Sequence, residues 1–211
     1  MAGPLSGGTS RPPAAARDRR PFCPRRGVTR ARFTLLVATS RDGFIARHPG
    51  ENPVAWASAE DQARFRAAVT AADWSVLGRT THGVAPNPQR RRIVFSTAAG
   101  APVWRESVQL WLDPAGQTPD GLAALVAAVH PLRTGLILGG TRVHDWFLAH
   151  GAIDRVELTV EPVSFGRGVP IFSGQGAADP VDVFRRAGFG VIAEAALNAA
   201  GTRSVELRPV D

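Results

Sequence analysis

Lysine and tyrosine are absent from this 211-residue chain, and cysteine and methionine occur once each. Without lysine there is no Schiff base and no amine nucleophile, and without tyrosine there is no phenol to donate a proton. A single thiol, Cys23, builds neither a disulfide framework nor a thiolate metal cage, and the default setting for such a chain is the reducing cytoplasm. The five histidines follow no HExxH-like spacing, so no metal is expected. GxSxG and GxGxxG are missing, which excludes a serine-hydrolase elbow and disfavours an ordinary Rossmann site. The HxE and PCxxC zinc signature of nucleobase deaminases is missing too. No stretch approaches the roughly 18 apolar residues of a membrane span, so no membrane contact is expected.

What is present fits one domain of ordinary size: 44% apolar and 20% charged residues, with a net charge of +7. That charge is unevenly placed. Residues 1–32 hold eight arginines and a single acid, Asp18, which accounts for the whole excess, while the other 17 arginines and 17 acids cancel. The segment is rich in Gly, Pro, Ala and Arg and poor in large apolar side chains, so it is expected to be a disordered tail. Arg19-Arg20 and Arg25-Arg26 resemble a twin-arginine signal, yet neither pair is followed by an apolar run of suitable length. The remaining 33–211 are expected to form the folded domain, and its neutrality argues against nucleic acid as a partner.

Along that domain, apolar runs at 33–39, 74–77, 92–96, 108–112, 135–140 and 156–160 predict strands. Ser58 is placed to cap a helix over 58–70, Asp120 one over 122–129, and 141–150 reads as a third helix closed by Gly151. The runs 190–197 and 202–207 predict a closing hairpin. Strands alternating with helices and a late hairpin predict an α/β fold, with a mostly parallel sheet covered on both faces and an antiparallel edge. Trp104, Trp111 and Trp146 are expected in the core or at an interface.

Three strand-to-helix junctions carry the chemistry. Gly139-Gly140 precedes a helix, where missing Cβ atoms and free N–H groups suit a phosphate. The same pair also serves a tight turn that needs glycine only for its dihedrals. Gly78-Arg79-Thr80-Thr81 sets a forked cation and hydroxyls at another helix start. Ser96-Thr97 puts hydroxyls at a third strand end. Capping chemistry explains each alone, but ligands of open α/β sheets gather outside the carboxyl ends of strands, and together the three suit a nucleotide cofactor with an extra phosphate. Asp61, in the first turn of the expected helix, either binds a heterocycle or serves the helix N-terminus. Arg167, between two glycines, either meets a substrate phosphate or is solvated. His82 and His144 flank the same region, with packing or capping as the alternative.

The segments TSRDGFIA (39–46), LGRTTH (77–82), RIVFST (92–97), LILGGTRVHDWF (136–147) and DRVELTVEPVSFGRGVPIF (154–172) together resemble the dihydrofolate-reductase-like superfamily. Within it they are most similar to the reductase (C-terminal) domain of the bacterial bifunctional riboflavin-pathway deaminase-reductase. The resemblance covers about 33–209. It implies a three-layer α/β sandwich, NADPH as hydride donor, a small heterocyclic substrate and a homodimer. It also implies site residues: Gly78, Arg79 and Thr81 on the cofactor phosphates, Ser96 near the 2′-phosphate, and Gly139, Gly140 and Thr141 around the pyrophosphate. Asp42 would face substrate and nicotinamide. The spacing of Trp56, Asp61 and Phe65 resembles the pterin-gripping segment of folate reductases, which makes Asp61 the matching carboxylate. The implied substrate is 5-amino-6-(5-phosphoribosylamino)uracil, with dihydrofolate, or a nucleotide-binding module without turnover, as alternatives. The chain departs from the pyrimidine reductase pattern at Ala85-Pro86-Asn87-Pro88, where those enzymes carry an acidic pair before a proline.

Overall fold

The computed structural model describes residue 3 and residues 30–210, so the expected tail and Cys23 lie outside the described residues apart from residues 3 and 30–32. In chain order the elements are β1 (Arg32–Ser40), β2 (Phe44–Ala46), α1 (Ala59–Ala71), β3 (Trp74–Gly78), α2 (Arg79–Val84), β4 (Arg92–Phe95), β5 (Val103–Arg105), β6 (Gln109–Leu112), α3 (Pro119–Val126), β7 (Thr134–Gly139), α4 (Thr141–Ala149), β8 (Arg155–Glu161), β9 (Val169–Pro170), α5 (Pro180–Arg186), β10 (Phe189–Ala196) and β11 (Arg203–Pro209). Nine strands form one sheet in the order β10-β11-β8-β1-β7-β3-β4-β6-β5, and β2 pairs with β9 apart from it. The six strands from β8 to β6 run parallel. The β10–β11 hairpin and the edge strand β5 pair antiparallel.

Alternation along the strands divides the molecule into layers. Phe33, Leu35 and Val37 of β1, Val76 of β3, Ile93 of β4 and Leu158 of β8 point to one face, where they meet Leu122 and Val126 of α3, Val143 and Phe147 of α4, and Phe184 of α5. Each such side chain removed from water contributes about 1.5–3 kcal/mol. The opposite face carries a smaller apolar cluster of Leu77, Val94 and Trp111 beside α2, and polar positions of β8 beside α1. Helix α1 has no fully buried residue, so it covers this face loosely. The result is the expected α/β three-layer sandwich.

Ser58 caps α1 as its sequence predicts, its hydroxyl accepting from Asp61 N at 3.2 Å. Asp120 does not cap α3. Thr118 does, because its hydroxyl accepts from Gly121 N at 3.0 Å, and Pro119 begins the helix three residues before the expected start at Leu122. The sequence reading also lacked β2, β5, β9 and α5. Among the described residues no helix is long and apolar enough to cross a membrane.

At the amino ends of β3 and β7 the Asp73 carboxylate gathers the N–H groups of Arg133 (3.0 Å) and Thr134 (2.9 Å), the Thr134 hydroxyl (3.0 Å) and His130 Nε2 (3.1 Å). Burial opposes its charge, but these donors win and hold its pKa at about 2. The folded chain therefore binds this proton less tightly than the unfolded one, and the stabilisation is present above the usual carboxylate range and lost as pH falls toward 2. Denaturant melts should show Asp73→Asn less stable than the parent by about 2 kcal/mol at pH 7, with the gap closing in acid. A gap independent of pH would count against the carboxylate as its source.

Candidate functional site

Register brings the three junctions together. Gly139 lies beside Leu77, Gly78 beside Phe95, and Phe95 beside Leu112. The carboxyl ends of β7, β3 and β4 are thus adjacent, and with strands about 4.8 Å apart the three turns fall within roughly 10 Å of one another. Gly140, whose preceding peptide bond to Gly139 is cis, caps α4 with no side-chain bond to the helix amides. A Cβ built on Gly140 would sit 3.9 Å from Thr81 Oγ1, so the α2 and α4 starts share one recess. Arg79 opens α2 and is exposed. Ser96 is buried at the end of β4, and its hydroxyl makes no cap bond to the turn that follows. The Thr141 hydroxyl donates to Pro170 O at 2.5 Å, which leaves its backbone N–H, not its side-chain proton, for any ligand.

His144 stands behind this recess. Its side chain is fully buried, Nδ1 lies 2.9 Å from Ile171 O and so carries the hydrogen, and burial pushes the pKa down to about 4. The ring is therefore neutral, with a buried Nε2 that lacks a hydrogen-bond partner among the described residues. A Cβ on Gly139 would come within 3.0 Å of that nitrogen. His82 instead serves packing. It sits edge-on to Trp111 at 5.0 Å and 3.2 Å from Arg92 Nη1, while Arg105 stacks over Trp111 at 4.3 Å. Burial, with Arg92 and Arg105 nearby, lowers its pKa. Trp111 is buried and Trp104 is 39% exposed.

A second group of residues gathers at the neighbouring ends of β1 and β8. Asp42 directs its carboxylate into the 165–166 loop, accepting from Phe165 N (3.1 Å) and Gly166 N (2.6 Å). Burial alone would raise its pKa, but bonds from Ser40 and these amides hold it below the usual range. The carboxylate is a loop clamp and stays ionised, so it is unsuited to donating a proton. Trp56 meets Phe165 edge-on at 5.2 Å, and Arg47 lies over the Phe165 ring at 4.5 Å. Arg167 is exposed two residues further on.

Asp61 behaves oppositely to Asp42. It sits in the first turn of α1, facing β8, and burial pushes its pKa up. A hydrogen bond from Thr159 and the nearby Arg64 pull the other way, while the Glu161 charge adds to the rise. Burial of this kind favours the protonated form, which can donate a hydrogen bond or a proton. Glu60, its neighbour in the same turn, points instead to Asn198 Nδ2 at 3.0 Å. Sequence reasoning missed Glu161 and Thr159. The signal was the alternation of Glu157, Thr159 and Glu161, polar residues on one face of a strand whose other face is core.

The edge thus holds a glycine and hydroxyl recess suited to phosphates beside an acid suited to a heterocycle. The family model of the RibD C-terminal domain matches residues 32–186. No curated protein sequence matches the chain at a significant level. A protein from Shewanella sp. PV-4 assigned to riboflavin biosynthesis is similar in structure, with TM-score 0.62 and 21% identity over 85% of this chain and 99% of that one. Dihydrofolate reductase from Enterococcus faecalis, complexed with NADP(H) and RAB-propyl, gives TM-score 0.58 and 19% identity over 85% of this chain and 97% of that one. A diaminohydroxyphosphoribosylaminopyrimidine deaminase/5-amino-6-(5-phosphoribosylamino)uracil reductase from Thermotoga maritima gives TM-score 0.59 and 20% identity over 86% of this chain, which spans 57% of that protein. These likenesses show the fold that the motifs implied, and the family match spans most of the described residues. The chain belongs to the RibD C-terminal domain family.

Proposed function

We propose that the chain is an NADPH-dependent reductase that adds hydride to a C=N bond of a small heterocycle, first of all 5-amino-6-(5-phosphoribosylamino)uracil. The reading is carried by one observation: an uncapped glycine turn, an exposed arginine and a buried hydroxyl converge on one sheet edge beside a desolvated carboxylic acid. The residues fit the cofactor. Gly139 and Gly140 leave room for a pyrophosphate against the free N–H groups of α4, and Arg79 and Ser96 suit the additional phosphate. When bound, NADPH supplies the hydride. The protein's own part is to orient the ligands, exclude water and hold a proton at Asp61 for the heterocycle nitrogen. Asp42 keeps the 165–166 loop in place over Trp56 by its two amide bonds.

A pteridine is the second reading, favoured by the desolvation of Asp61 five residues after Trp56. Cofactor fluorescence titration followed by turnover on both heterocycles separates the two, and binding without oxidation of NADPH on either would leave a nucleotide-binding module. Arg79→Ala should weaken NADPH by about 10- to 100-fold while changing NADH little, since a charge-assisted phosphate contact is worth about 1.5–3 kcal/mol. Equal losses for the two cofactors would remove Arg79 from the phosphate.

A further inference from the structure

We propose that Glu161 is a positioning residue for Asp61: buried at the end of β8, it anchors the helix start that carries Asp61 and places its own carboxylate in the surroundings of that acid. The proposal deepens the reductase reading, which makes Asp61 the proton source.

Glu161 is the last residue of β8 and is only 2% exposed. Its Oε1 accepts from Ser58 N at 2.8 Å and its Oε2 from the Thr202 hydroxyl at 2.7 Å. Both donors are neutral, and a buried carboxylate held this way costs more than an apolar side chain of the same size. Its two bonds do specific things. Ser58 is the cap of α1, and its own hydroxyl accepts from Asp61 N. Glu161 therefore decides where α1 begins and so where Asp61 stands. Thr202 sits where the β10–β11 hairpin turns back, and its N–H is held by Asn198, whose amide also reaches Glu60. Glu161 thus ties helix, strand and hairpin together at the helix start that carries Asp61.

The charged groups around Asp61 make Glu161 the one that disfavours its ionisation. On α1, Arg64 acts in the opposite sense and Glu60 is turned toward Asn198. On β8, Thr159 donates to Asp61, while Glu157 lies 4.0 Å from Arg64 and 3.3 Å from Arg155. On β11, Glu206 is bound to Arg155 at 2.6 Å. The positions of β1 on this face, Leu36, Ala38 and Ser40, carry no charge. Removing the Glu161 charge takes away a contribution that disfavours the Asp61 carboxylate.

The test uses the full chain and the isosteric variant Glu161→Gln, which keeps an acceptor for Ser58 N but removes the charge. Carboxyl carbon NMR should show the Asp61 midpoint falling by about one pH unit, and the pH at which turnover is lost on the alkaline side should fall with it. An Asp61 midpoint unchanged in Glu161→Gln would overturn the proposal, because a purely structural clamp moves stability but not that titration. If the variant does not fold, the parent decides: an Asp61 carboxyl that senses the Glu161 charge shows two steps in its titration curve, whereas a single step overturns the proposal. The NMR readout needs no turnover, so it stands even if no heterocycle is reduced and the reductase reading fails.

Discussion

Asparagine at position 61 should lower kcat by about 10²- to 10⁴-fold, the usual loss when a positioned general acid is removed, while NADPH affinity stays within a factor of about two of the parent. The side chain keeps its shape and its place beside Thr159, but it no longer has a proton to hold for the heterocycle. Stability should move the other way. Burial raises the folded-state pKa of Asp61, so between the unfolded and folded midpoints the native chain binds the proton more tightly. The stabilisation is complete at low pH and lost as pH rises through the folded midpoint, the reverse of Asp73. Asp61→Asn escapes that loss and should melt at or above the parent temperature at pH 8. Stopped-flow turnover at saturating ligands and thermal melts check both halves, and an unchanged kcat would remove Asp61 from the chemistry.

Gly139→Ala should destabilise the fold by about 3 kcal/mol and weaken NADPH severely. Two costs combine. Gly139 has φ of +92°, a region where a side chain costs about 1–3 kcal/mol. Its new methyl would also meet His144 Nε2 at 3.0 Å, and that ring cannot retreat, being fully buried and bonded to Ile171 O. For a domain of this size the melting temperature should drop by about 10 °C. Gly140→Ala is the internal comparison: φ there is −83° and the nearest atom to the new methyl lies 3.9 Å away, so the fold should lose little. Equal melting temperatures for the two variants would show that neither strain nor His144 matters at Gly139.

Legibility differed by element for physical reasons. The central strands were readable because each is a short apolar run that ends at a glycine, a hydroxyl or a turn. Strand β5 was not, since its three residues are all exposed and carry no apolar pattern. Helix α5 had a signal that was passed over: Asp179 caps it, Pro180 begins it, and Val181, Val183 and Phe184 form its buried stripe. The cap of α3 was misplaced because Asp120 and Thr118 are both good caps, and only backbone geometry chooses between them. At the site, Gly78, Arg79, Ser96 and the glycine pair were singled out from turn chemistry alone, whereas Glu161 and the buried state of His144 were hidden, because burial belongs to neighbours far along the chain.

The chemical vocabulary was already determined by the order of residues: no amine or phenol catalysis, three phosphate-type turns, one acid at a helix start, and strands enough for a layered α/β domain. Local pattern suffices there, since hydrophobic period and turn residues act over a few positions. Tertiary structure decided which groups work together and in what charge state. Asp42 and Asp61 are both carboxylates near turns, yet one accepts two amides that favour its charge while burial and the Glu161 charge favour the protonated form of the other. The free energy of a charge depends on the dipoles and charges around it, and these come from segments distant along the chain.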